Sequence, residues 1–186
     1  MEKYQILSEI KEILIKNNLS LSSAESCTGG LISSYLTDID GASKFIYQNF
    51  VTYSNVSKSM ILGVSSKTLE KFGAVSKQTA YEMSKGLLNL SDCSIATTGI
   101  LGPTGGTKKK PIGLVYISLG YKDEIRVVRY ISKKAHTNDR YEIKKDIVEY
   151  ALMELLKFLK EVLWYKQLLP MVIFKAKTLL LTAWML

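Results

Sequence analysis

The stretch Ala24-Glu25-Ser26-Cys27-Thr28-Gly29-Gly30 lies between a short strand-like run and a helix-like one. A polar, glycine-ended turn at such a junction gathers backbone N–H groups and a positive helix end at one point, which suits an anion or a developing oxyanion. Ser26, Thr28, Gly29 and Gly30 are its candidate binding residues. The same composition also serves plain helix capping, so the turn gains weight only in company with other motifs. Three further stretches come in order: Gly41-Ala42-Ser43, then Thr52-Tyr53-Ser54-Asn55 with Lys58, then Gly99-Ile100-Leu101-Gly102-Pro103-Thr104-Gly105-Gly106. In the last, Gly102, Gly105 and Gly106 lack a Cβ, so their amides can approach a phosphate closely.

The chain holds one histidine, His136, which limits the chemistry. A Ser-His-Asp triad would have to use it, and no serine stands in a Gly-x-Ser-x-Gly elbow. His136 reads instead as a residue at the entry to the last helix. No pair of His or Cys has metal-ligand spacing, so neither a metal nor another cofactor is expected. A serine nucleophile without histidine needs another base, and lysine is the known substitute. Lysine holds its proton to a pKa of about 10.4 in water; lowering that to about 7 or 8 costs roughly 3 to 5 kcal/mol, supplied by burial or a nearby cation. Lys58, about one turn into a helix that follows an apolar strand, is the candidate base. Ser43 opens that strand and Tyr53 closes it. On residue type alone Ser43 is a turn or cap residue, Glu25 a structural carboxylate bonding loop amides, and Cys27 a filler of a small space.

These residues need elements to hold them. A chain of 186 residues with 47% hydrophobic and 23% charged content is long enough for one domain with an ordinary core. Residues 4–17 carry Ile6, Ile10, Ile13 and Leu14 on one helical face, followed by a short strand over Leu19 to Ser23. A helix capped near Thr28 extends to about Thr37, and Phe45 to Tyr53 is a strand. Helices come next from Asn55 to Leu62, around Thr68 to Phe72, and from a Ser76 cap to about Asn89. A buried strand over Ser94 to Thr98 leads into the second glycine-rich loop. Ile112 to Leu119 and Glu124 to Ile131 form a hairpin, and Asn138 or Asp139 opens a last helix to about Lys160. This order predicts an α/β fold, a three-layer α/β/α single domain with a mixed sheet. The expected domain spans residues 1–161. Residues 162–186 form a hydrophobic extension in which Pro170, Lys175 and Lys177 interrupt every apolar run, short of the roughly 20 residues that a membrane helix needs.

The four motifs, together with Gly73-Ala74-Val75-Ser76 and Lys110-Pro111-Ile112-Gly113, resemble the C-terminal domain of the competence- and damage-inducible protein CinA. The resemblance runs in register over roughly residues 5–160. It implies a nicotinamide-nucleotide amidohydrolase, which converts nicotinamide mononucleotide to nicotinic acid mononucleotide and ammonia without a metal. It implies Ser43 as the nucleophile, Lys58 as its paired base, Tyr53 as the assisting tyrosine and Arg140 as a substrate cation. Either glycine-rich loop suits the phosphate, and either suits the oxyanion. The chain departs from the family pattern at Thr98, Leu101 and Thr104, and Lys144 stands nearest to a second arginine usual in the last helix.

Two cysteines cannot build a disulfide framework, and Met1 to Ile15 has no uninterrupted apolar core of a signal peptide, so a cytoplasmic protein is expected. The net charge of +8 suits an anionic substrate or nucleic acid, and a lysine-rich composition alone also produces it; the small-molecule nucleotide substrate is what the resemblance implies. The rival reading is a catalytically silent module that binds nucleic acid or a competence or repair partner; the combination of Ser43, Tyr53, Lys58 and Arg140 argues against it. A homodimer is a further expectation; for residues 162–186 an extension that packs on the domain or stays mobile is favoured over membrane association.

Overall fold

Odd- and even-numbered residues of the two central strands face different helical layers, and this alternation organises the domain. The computed structural model describes residues 2–137 and 139–183, with side chains as far as Trp164. Its strands are β1 (Leu21–Glu25), β2 (Ile46–Val51), β3 (Cys93–Gly99), β4 (Leu114–Tyr121) and β5 (Glu124–Ile131). They form one sheet in the order β2-β1-β3-β4-β5. β1 runs parallel to both β2 and β3, whereas β3–β4 and β4–β5 are antiparallel. The helices are α1 (Lys3–Lys16), α2 (Leu31–Thr37), α3 (Asn55–Leu62), α4 (Ser66–Phe72), α5 (Lys77–Leu88) and α6 (Arg140–Ala183).

One sheet face presents Leu21, Ile95, Val115, Ile117 and Leu119 to Leu7, Ile10 and Leu14 of α1, Ile32 and Leu36 of α2, and the apolar stripe of α6 from Ile143 to Leu163. The other face is made of small residues. Ala24 and Ala96 pack against Leu62 of α3 and Met83 and Leu87 of α5. Ser22, Ser94 and Ser118 are buried there, and Ser94 shares a hydrogen bond of 2.6 Å with Ser84 of α5. A Cβ on Gly120 would stand 2.4 Å from the Ser94 Oγ, so glycine is required for this close approach. The result is the expected three-layer α/β/α domain with a mixed sheet.

Some boundaries differ from the sequence reading. β1 begins at Leu21 rather than Leu19, because the Leu19 amide closes the end of α1 on the Leu14 carbonyl. α6 passes residue 161 without a break. Val162 and Leu163 continue its buried stripe, and no glycine or proline interrupts residues 140–169. The side chains of residues 165–186, and the roles expected of that extension, lie outside the described residues, as does Asn138. Among the described residues no helix is long and apolar enough to cross a membrane.

The topology also decides where a site can form. β1 leaves toward β2 on one side, and the chain returns through β3 on the other side of β1. The carboxyl ends of β1, β2 and β3 therefore lie along one edge, at a topological switch point, the usual location of a ligand crevice in such sheets.

Candidate active site

Lys58 is wholly buried, at 0% exposure, an uncommon position for lysine. Its helix α3 starts at a Ser54 cap, whose Oγ accepts from the Ser57 amide at 3.0 Å, and Lys58 faces inward with Leu62 one turn later. The Lys58 Nζ donates to the Thr52 carbonyl at 2.8 Å, to the Tyr53 carbonyl at 3.0 Å and to the Ser26 Oγ at 3.0 Å. A carbonyl only accepts. A neutral Lys58 amine directing its two N–H groups at the carbonyls therefore turns its lone pair toward the Ser26 hydroxyl. Burial holds the Lys58 pKa below its usual 10.5.

Ser26 sits just beyond the end of β1 and is 8% exposed. Its amide donates to the Thr97 carbonyl at 3.0 Å. The preceding Glu25 is wholly buried, and its carboxylate accepts from the amides of Gly30 (3.0 Å), Ile32 (3.0 Å) and Ser33 (2.8 Å) and from the Ser33 hydroxyl (2.6 Å). Glu25, not Thr28, thus caps α2, and it occupies the amides that the sequence alone offers to an anion. The Gly29 and Leu31 amides donate to the carbonyls of Ser26 and Thr28. Within the turn this leaves the amides of Cys27 and Thr28 outside the backbone pairing. Burial pushes the Cys27 thiol up to about 12, so it is protonated at neutral pH and unsuited to act as a nucleophile.

Ser43 is not part of this arrangement. It is exposed on a 3-10 turn, Ala42–Lys44, that precedes β2, whereas Tyr53 and Lys58 follow β2. The six residues of β2 separate the two ends by about 20 Å. The pairing of Ser43 with Lys58 is therefore corrected to Ser26 with Lys58. The signal that favours Ser26 is topological: β1 and β2 are parallel neighbours, and residues that follow parallel neighbours meet.

A cleft of about 260 Å³ opens over the pair, lined by Ser26, Tyr53, Lys58, Ala74, Val75 and, from the second loop and α6, Gly102, Thr104, Gly105 and Arg140. Tyr53 reaches it as a side chain 64% exposed, and it holds Lys58 through its backbone carbonyl. Arg140 opens α6, whose first amides are capped by the Asp139 carboxylate, and its Nη1 donates to the Gly102 carbonyl. Four other candidates lie outside the lining. The Thr28 hydroxyl is buried against Thr97 Oγ1 at 2.7 Å. Gly29 and Gly30 hold positive φ values of 61° and 95° at the entry to α2. Gly106 is needed for packing, since a Cβ there would stand 2.8 Å from Ile112 Cγ1. Lys144, one turn after Arg140, brings its Nζ to 3.4 Å from where a Gly29 Cβ would be. Two cations thus point from α6 at the Ser26 turn and the second loop, and among the described lining residues there is no carboxylate.

Known proteins are similar to this chain in sequence and fold. The family model described as the CinA C-terminal domain matches residues 3–159. A CinA-like protein of Endomicrobium trichonymphae is 47% identical over 142 residues, covering 75% of this chain and 32% of that protein. The chain spans about a third of the length of the curated relatives it matches. The crystal structure of the competence damage-inducible protein A (ComA) from Klebsiella pneumoniae superposes with a TM-score of 0.80 at 30% identity, covering 86% of this chain and 98% of that one. That of the competence/damage inducible protein CihA from Agrobacterium tumefaciens gives 0.75 at 38% identity, over 83% and 95%.

Proposed function

The chain belongs to the CinA C-terminal domain family, and we propose that it is a serine–lysine amidohydrolase acting on the carboxamide of nicotinamide mononucleotide. The observation that carries the reading is the hydrogen bond of 3.0 Å between a wholly buried Lys58 and Ser26 in a cleft that Arg140 also lines. A lysine in that setting favours its neutral form and has a hydroxyl within reach, which is what a base for serine requires.

In this mechanism Ser26 Oγ attacks the amide carbon and passes its proton to Lys58 Nζ. The carbonyl oxygen becomes an oxyanion, for which the amides of Cys27 and Thr28 are the donors left in the turn, each such donor worth about 3 to 4 kcal/mol in comparable sites. Lys58 returns the proton to the amide nitrogen as the C–N bond breaks, releasing ammonia and leaving an ester on Ser26. Water, deprotonated by Lys58, then attacks the ester, and the acid product leaves with Ser26 reprotonated. Arg140 and Lys144 suit the phosphate of the substrate, and the exposed ring of Tyr53 offers an aromatic wall to a pyridinium.

The test is ammonia release from nicotinamide mononucleotide by the purified protein. The expected result is turnover that persists in chelator-treated buffer and is lost in Lys58→Met. A folded wild-type protein that releases no ammonia from this substrate contradicts the proposal.

A further inference from the structure

Lys108, Lys109 and Lys110 are one charge cluster in sequence, yet the fold treats them differently. Lys108 and Lys109 are exposed. Lys110 is half-buried, and its Nζ donates to the Phe72 carbonyl, the last of α4, at 2.8 Å. The same Nζ stands 3.5 Å from the position of a Cβ on Gly73. A lysine bonding a terminal helix carbonyl is favourable, because such carbonyls lack helical partners and carry negative partial charge.

The contact joins two walls of the cleft. From Gly73 the chain continues through Ala74 and Val75, which line the cleft opposite the second glycine-rich loop. The Ala74 carbonyl accepts from Thr98 Oγ1 at 2.8 Å, and the Gly73 carbonyl accepts from Ser76 Oγ at 3.0 Å and Thr79 Oγ1 at 2.8 Å. On its own side Lys110 closes the loop that carries Gly102, Thr104 and Gly105: the Thr107 amide donates to the Lys110 carbonyl at 2.8 Å, and the Lys110 amide donates to Thr107 Oγ1 at 3.0 Å. One ammonium therefore ties the glycine loop to the Ala74–Val75 wall, outside the cleft lining.

We propose that Lys110 is a positioning residue that fixes the distance between these walls and so sets how tightly the cleft holds its substrate. The substrate part of this inference rests on the amidohydrolase reading. A residue of this kind acts on binding more than on the chemical step, because Ser26 and Lys58 stand on other elements.

The experiment compares Lys110→Met, Lys110→Arg, Lys108→Met and Lys109→Met for steady-state turnover of nicotinamide mononucleotide and for hydrogen exchange of the segment 72–76. In Lys110→Met the KM is expected to rise about tenfold with kcat held within about twofold, the signature of lost ground-state binding. Exchange of 72–76 speeds up in the same variant. Lys110→Arg, whose guanidinium also donates to a carbonyl, restores both, and the two neighbouring substitutions leave both at wild-type values. Wild-type KM and exchange in Lys110→Met overturn the inference; so does an equal effect from Lys109→Met, which assigns it to net charge. Should the wild-type protein not turn over this nucleotide, the exchange comparison decides by itself, separately from the amidohydrolase reading.

Discussion

Lys58 has three acceptors within hydrogen-bond reach, and only one of them, the Ser26 hydroxyl, can also give up a proton. That asymmetry makes the pair directional, and it yields a pH dependence. In the proposed mechanism the working form of Lys58 is the free amine, and burial lowers its pKa from 10.5. kcat/KM should therefore rise with pH through the lowered Lys58 pKa and level off above it, measured in buffers of constant ionic strength. Lys58→Arg keeps a cation that does not deprotonate in this range, so a loss of about 10²- to 10⁴-fold is expected, the contribution typical of a general base. The same shift has a stability side. Between the native Lys58 pKa and 10.5 the unfolded chain binds more protons than the folded one, so the Lys58 contribution to stability is full above 10.5 and declines as pH falls through the native value. Urea unfolding of Lys58→Met across that window should show a shallower rise with pH than the wild type.

Helix α2 shows why residue type is legible before residue role. The glycine-rich turn points to a helix start and a gathering of amides, and both are present. Its free donors are fewer than composition suggests, because the Glu25 carboxylate already takes the amides of Gly30, Ile32 and Ser33. Glu25→Ala leaves those donors, and the Ser33 hydroxyl, without their acceptor. Unfolding should become easier by about 3 kcal/mol, read from the denaturant midpoint, as expected when buried donors lose a charged acceptor. Strand order is harder to infer. The motifs fall after the first, second and third strands, but only the parallel pairing of β1 with β2 and β3 brings Ser26, Lys58 and the Gly99–Gly106 loop to one edge. Ser43 adjoins the same strand as Lys58 and looks nearer in sequence, yet it stands at that strand's other end. The resemblance implies Ser43 as the nucleophile, whereas the proposed mechanism uses Ser26, the serine that meets Lys58; Lys58, Tyr53 and Arg140 do line the cleft, because each lies at the right end of its element.

At the scale of the whole molecule the chain carries a net charge of +8, of which Arg140 and the buried Lys58 line the cleft. Arg140 and Lys144 come from the first turns of α6, a helix whose buried stripe anchors it across the sheet, so both cations are held by the main core. If they receive a phosphate, inorganic phosphate should inhibit competitively, and Arg140→Gln should raise KM for nicotinamide mononucleotide by about tenfold or more while weakening that inhibition, as expected for loss of a charge-assisted pair. Unchanged phosphate inhibition in Arg140→Gln would place the anion elsewhere. Of the hydrophobic residues beyond 161, Val162 and Leu163 extend the buried stripe of α6, a contact that composition alone does not show. Ammonia release from nicotinamide mononucleotide by Ser26→Ala and by Ser43→Ala, each shown to be folded, separates the two candidate nucleophiles. With Ser26 as the nucleophile, Ser26→Ala shows no measurable turnover and Ser43→Ala stays near wild type; the reverse pattern, or full activity in Ser26→Ala, rules that assignment out.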